Sequence, residues 1–212
     1  MPYFCLFLSQ NNKNMPSIKM DSSAMTVITL AAPPPPPAPR LRRIGQVVAV
    51  GALACAVALV IGTAVVWSND AMIRHAIVWP GPLGLGPVTL GFDTRLFGAL
   101  LSLLGAAPAL YALVQLSRLF SAFARGVVFE DENVARIRAI GIALLVKVAL
   151  SPAIQVLTTL TLTINNPPGA RSIALGIEMN HLLTILGGLA LIAFASVMRE
   201  AVRVARENHE FV

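Results

Sequence analysis

Charge is scarce in this chain of 212 residues. Only 12% of positions are Asp, Glu, Lys or Arg, where soluble domains carry roughly 25%. That shortage excludes an ordinary water-soluble domain. Acidic residues are the fewest, ten against sixteen Lys and Arg. The net charge of +6 is still not a nucleic-acid footprint, which needs a basic face on a soluble domain. The arginines flank apolar runs instead, and no direct nucleic-acid binding is expected. Cysteine occurs twice, Cys5 in a tail and Cys55 in an apolar run. That excludes a disulfide framework and any Cys-based zinc pattern. There is no Ser/His/Asp set, no phosphate-cradling Gly loop and no separated pair of catalytic acids. No enzyme and no cofactor are therefore expected. The apolar patch from Met1 to Ser9 has no basic n-region, so a secretory signal is not expected either.

What the chain has is apolar length. Hydrophobic residues make up 56%, with a mean hydropathy of +0.75. Residues 1–40 read as a disordered Pro-rich tail, with Pro33 to Pro37 and Pro39 forming a polyproline II spacer. Met1, Met15, Met20 and Met25 are alternative starts. Residues 41–212 read as one all-α membrane domain, a bundle of four transmembrane helices. The spans fall at about 44–67, 96–120, 136–163 and 172–200. Each is long enough to cross roughly 30 Å of hydrocarbon at 1.5 Å per residue. Pro108 lies inside the second span and Pro152 inside the third, which lipid tolerates if the freed carbonyls find partners. Between spans one and two, Gly and Pro forbid a long helix; a short helix at 70–78 and a turn or hairpin near 80–92 are expected. His75 there reads as a surface or interfacial residue. Asn165-Asn166-Pro167-Pro168-Gly169 breaks the chain before span four.

On the first span, Gly51, Cys55, Ala58 and Gly62 share a helical face. Small residues at that spacing admit a neighbouring helix, within the chain or in a homo-oligomer. Trp67 stands where an interfacial aromatic anchor belongs. Ten arginines (40, 42, 43, 118, 125, 136, 138, 199, 203 and 206) fall on one side of the membrane and three (74, 95 and 171) on the other. The positive-inside rule then places both termini and the central turn in the cytoplasm of a bacterial inner-membrane, multi-pass protein.

That central turn is the one strongly charged segment between long apolar runs. Arg125-Gly126 reads as a helix C-terminus, with Gly126 at C′ able to take φ > 0. Val127 and Val128 make a connector. A new helix starts with its N-cap at Glu130, or alternatively Asp131, and acidic residues in its first turn suit the helix dipole. Phe129 and Val134 have the spacing of a hydrophobic staple. Near the C-terminus, Glu200/Arg203, Arg203/Glu207 and Arg206/Glu210 are spaced for ion pairing along a helix.

Gly126, Phe129, Glu132-Asn133, Ile137-Arg138 and Ile140-Gly141, with the ending Glu207 to Val212, resemble the DUF2975 family of small bacterial membrane proteins over about residues 41–212. The departure is Glu130, where the family tends to have Ser or Thr. The resemblance implies an uncharacterised membrane protein that pairs with a small cytoplasmic helix-turn-helix transcription regulator encoded beside it.

Ionisable and polar groups inside spans are functional candidates. Lys147 lies roughly 12 Å into span three by helical rise, to snorkel or to face the interior. Glu178 and His181 on span four, with Gln155 on span three, are expected to form a polar cluster. A single Glu-x-x-His pair falls short of a bundle di-metal site, which uses it twice with further carboxylates. The cluster is either an interhelical contact or a responsive site. The functional expectation is an interaction and regulatory module in the lipid bilayer. The alternative is a small transporter or channel subunit using Lys147 and Glu178.

Overall fold

The computed structural model describes residues 39–76, 90–128, 130–167, 171, 173, 175, 176 and 179–210. The elements are α1 (Pro39–Ser68), α2 (Asp70–Ala76), α3 (Phe92–Ala124), α4 (Asp131–Thr163) and α5 (Met179–Glu210). The described regular structure is all helical. Among the described residues, four helices are long and apolar enough to cross a membrane: α1, α3, α4 and the Met179–Val204 part of α5. The chain is thus a multi-pass, all-α membrane protein. Most of the Pro-rich tail lies outside the described residues, but Pro39 and Arg40 already belong to α1. Proline is tolerated in a first helical turn, where its missing N–H has no intrahelical partner to lose.

α1, α3 and α4 begin before the expected 44, 96 and 136 because their charged first turns are helical, and α4 ends at Thr163 as expected. The fourth span does not begin at residue 172. Residues 171, 173, 175 and 176 are non-helical, and α5 starts at Met179. The backbone N–H of Gly176 donates to Gln155 Oε1 at 2.9 Å. That bond, made to a side chain of α4, holds the approach segment outside the helix. The short helix expected at 70–78 is α2, capped by Asn69, whose Oδ1 accepts from the N–H of Ala71 at 2.9 Å. The region near 80–92 lies mostly outside the described residues.

The four long helices lie side by side in chain order. α1 packs on α3, α3 on α4 and α4 on α5; among the described residues no other pair of long helices approaches within 8 Å between Cα atoms. One apolar core joins α3, α4 and α5 through Leu119, Val134, Ile137, Ile140, Ala195 and Val202. A smaller one at the opposite end joins Trp67, Ile73 and Leu162. Glycine sets the closest approaches. A Cβ on Gly141 would sit 2.7 Å from the Gly188 carbonyl oxygen of α5, so the α4–α5 crossing needs both residues small.

For α1, the expected small-residue face meets no helix of the same chain among the described residues, and the expectation for Trp67 is corrected. The inward face is Gly45, Ala49, Ala52 and Ala56. Gly51, Cys55, Ala58 and Gly62 point outward, and a Cβ on Gly51 or Gly62 would meet nothing within 4 Å. Small residues occur all round this helix, so spacing alone did not choose the face. Trp67 is not an exposed anchor. It is 3% exposed, its ring fills the space left by the missing side chain of Gly98, and its Nε1–H donates to Ser102 Oγ at 3.0 Å. The indole meets both its apolar and its polar requirement inside the α1–α3 contact.

Candidate functional site

Two polar features involve α4, one at its start and one in its second half. The first is the α3–α4 turn. Gly126 has φ of 86°. Its N–H donates to the Phe123 carbonyl at 3.0 Å, and the Val127 N–H donates to the Ala122 carbonyl at 3.1 Å. These are the two bonds of a Schellman motif, with Gly126 at C′ as expected. Glu130 is the N-cap residue of α4, with extended backbone and no side-chain capping bond. The Glu130 carbonyl opens the helix by accepting from Asn133 N–H at 3.0 Å.

Asn133 has a role that the pattern of acidic residues concealed. It is fully buried. Its Nδ2 donates back across the turn to the carbonyls of Val127 at 2.9 Å and Val128 at 3.3 Å. Its Oδ1 accepts from Arg136 at 3.0 Å. Arg136 in turn pairs with Glu132 at 2.5 Å. The side chain of Asn133 therefore supplies donors to connector carbonyls that neither helix satisfies. Gly141 lies two turns on, at the α4–α5 crossing. Arg138 is exposed. Phe129, and with it the expected staple, lies outside the described residues.

The turn is also tied to the far helix. Arg206 of α5 pairs with Asp131 at 2.7 Å. Arg203 pairs with Glu200, and lies 3.8 Å from Glu207. The expected Arg206/Glu210 pair falls on a side chain outside the described ones.

The second feature is a groove of about 400 Å³ walled by α3, α4 and α5. Lys147, Ser151 and Gln155 follow one another at i, i+4, i+8 on α4, and Asn180, His181 and Thr184 face them from α5. Ser151 Oγ and His181 Nε2 share a hydrogen bond at 2.9 Å. Gln155 Nε2 donates to Ser151 Oγ at 3.3 Å. Gln155 and His181 are thus brought together as expected, but through Ser151, which the sequence reading passed over. Its signal was present: it lies midway between Lys147 and Gln155 on the same helical face. Lys147 lines the groove and is exposed. Glu178 lies outside the described residues. Pro152 has no N–H to offer the carbonyl of Val148, and Val148 also lines the groove.

The groove offers a cation, two amides, an imidazole and hydroxyls, a set that suits a polar or anionic ligand held by hydrogen bonds. Among the described residues, no three His, Cys, Asp or Glu side chains gather as metal ligands.

Residues 75–212 match the model of a family described as Protein of unknown function (DUF2975). The match takes in the turn and the groove and begins within α2, later than the 41 read from short motifs. Neither a curated protein nor a solved structure matches the chain.

Proposed function

We propose that this chain, which belongs to the DUF2975 family, is a regulatory and interaction module of the bacterial inner membrane that works with a cytoplasmic helix-turn-helix transcription regulator. In this reading it is not an enzyme. Both termini and the α3–α4 turn face the cytoplasm, on the strength of the ten-to-three arginine asymmetry.

The observation that carries the reading is the Asp131–Arg206 pair. It holds the turn and the tail of α5 together, so their charges act as one composite face. An exposed ion pair contributes only about 0–1 kcal/mol, so its value here lies in register more than in stability. α4 runs unbroken from this face to the groove, about 27 Å from Asn133 to Ser151 at helical rise. A ligand seated between Ser151 and His181 would shift α4 against α5, and the charged face would carry that shift to the regulator.

The test is co-purification from membranes with the helix-turn-helix protein encoded in the neighbouring gene. Enrichment over an unrelated four-span protein is expected, and Arg206→Glu should reduce it while Arg206→Glu with Asp131→Arg restores it. No enrichment with folded wild-type protein rejects the reading. Orientation is checked separately: a periplasm-active reporter fused after Val212 should be silent and one near Gly84 active.

Lys147 in the groove favours a second reading, a small transporter or channel subunit, in which Glu178, outside the described residues, would be the other charged group. Saturable flux in proteoliposomes, lost in Lys147→Met, would establish it.

A further inference from the structure

A second cleft, of about 500 Å³, opens between the start of α1 and the end of α3. Arg42 and Gln46 line it from α1, Ser121 and Arg125 from α3. Each pair is spaced i, i+4, so each helix aims a guanidinium and a neutral polar group at the same space. Neither Arg42 nor Arg125 forms an ion pair among the described residues. The acidic residues of the neighbouring turn are partly engaged elsewhere, Asp131 with Arg206 and Glu132 with Arg136. Among the described residues, the two guanidiniums thus share a cleft without a carboxylate paired to either.

Gly45 builds this cleft. A Cβ there would lie 2.8 Å from the Phe120 carbonyl oxygen and 3.0 Å from Ala124 Cβ. The close approach brings the two arginine-bearing ends together. The negative end of the α3 dipole is muted because the Ala122 and Phe123 carbonyls accept from the Schellman turn. The positive end of α1 lies at the same level as the cleft. From Arg42 the wall continues inward over Ala49 and Val50, and then along exposed Val50, Leu53 and Val57 on one apolar face of α1. Charge at the mouth and an apolar track leading inward match a molecule with an anionic head and an acyl chain.

We propose that the cleft between α1 and α3 binds the phosphate headgroup of an anionic membrane phospholipid, held by Arg42 and Arg125 with Gln46 and Ser121 as hydrogen-bond partners, its acyl chain lying along Val50. Basic pockets between transmembrane helices are a recurrent form of headgroup recognition. The site is separate from the groove at Ser151 and does not depend on the regulator reading.

Native mass spectrometry of the full chain in detergent, titrated with phosphatidylglycerol or phosphatidylcholine, tests it. Wild-type protein should retain phosphatidylglycerol in preference. The Arg42→Gln/Arg125→Gln variant should lose about twenty-five-fold in that preference, at roughly fivefold per arginine. Arg138→Gln/Arg199→Gln removes the same charge elsewhere and should leave the preference intact. Gln46→Glu puts a carboxylate in the cleft without removing an arginine, and should weaken binding even if the double variant folds poorly. Equal losses in both double variants would mean diffuse attraction, and an unaffected Gln46→Glu would mean binding elsewhere; either overturns the proposal. Displacement of the lipid by equimolar inorganic phosphate would make free phosphate the ligand and overturn the lipid assignment.

Discussion

Replacing Asn133 by aspartate changes one group and almost no volume, yet it should be among the most damaging substitutions outside the apolar core. The amide nitrogen is buried and donates to the carbonyls of Val127 and Val128. A carboxylate oxygen in that place donates nothing and faces two carbonyl oxygens. Each lost bond is worth about 1 kcal/mol net. Asn133→Ala removes both of these bonds, and with them the one accepted from Arg136, and should therefore cost at least about 2 kcal/mol. Asn133→Asp adds buried charge and oxygen–oxygen repulsion, only partly offset by Arg136, and should cost about 3 kcal/mol or more. The loss is large beside a typical total stability of about 5–15 kcal/mol. Thermal unfolding in detergent, followed by far-ultraviolet circular dichroism with a size-exclusion check for monodispersity, should rank the variants wild type, Ala, Asp in falling order. If Asp is the milder change, the amide points the other way, with its oxygen toward the turn, and Asn133 does not donate to the connector carbonyls.

Three further outcomes bear on the packing. Gly98→Val should drive Trp67 from its seat between α1 and α3, at about 1–3 kcal/mol for overpacking, visible as a red shift or quenching change in tryptophan emission; unchanged emission and melting would refute the seat. Gly141→Val should separate α4 from α5 and lower the melting temperature, while Gly187→Val, whose Cβ meets nothing within 4 Å, should stay within about 0.5 kcal/mol of wild type; similar effects at both would mean that the crossing is not where it is described. Gly126→Ala should cost about 1–2 kcal/mol because an L side chain resists the left-handed region, and a neutral result would contradict its φ of 86°.

Local requirements were legible in the residues themselves. Four spans follow from apolar length, since any backbone in hydrocarbon must satisfy its own hydrogen bonds. Gly126 was readable as C′ because it follows a long helical run and precedes an acidic first turn, and the Schellman bonds agree. Lys147, Gln155 and His181 stood out because polar groups are expensive in lipid, and all three line one groove.

Facing was another matter. α1 is apolar and small-residued on every side, so its pattern holds no preference between Gly51/Cys55/Ala58/Gly62 and Gly45/Ala49/Ala52/Ala56. Only the positions of Phe120 and Ala124 on α3 select the second set, by demanding the close approach at Gly45. Trp67 reads as an interfacial anchor until Gly98 and Ser102 are found opposite it. The late start of α5 depends on Gln155 reaching Gly176 across 21 residues of chain, and Ser151 gained its place only when His181 was brought to it. Lipid tells a helix how long to be, because the solvent is uniform around it; which side turns inward is settled by the shape and hydrogen-bonding groups of the neighbouring helix, and those belong to distant residues.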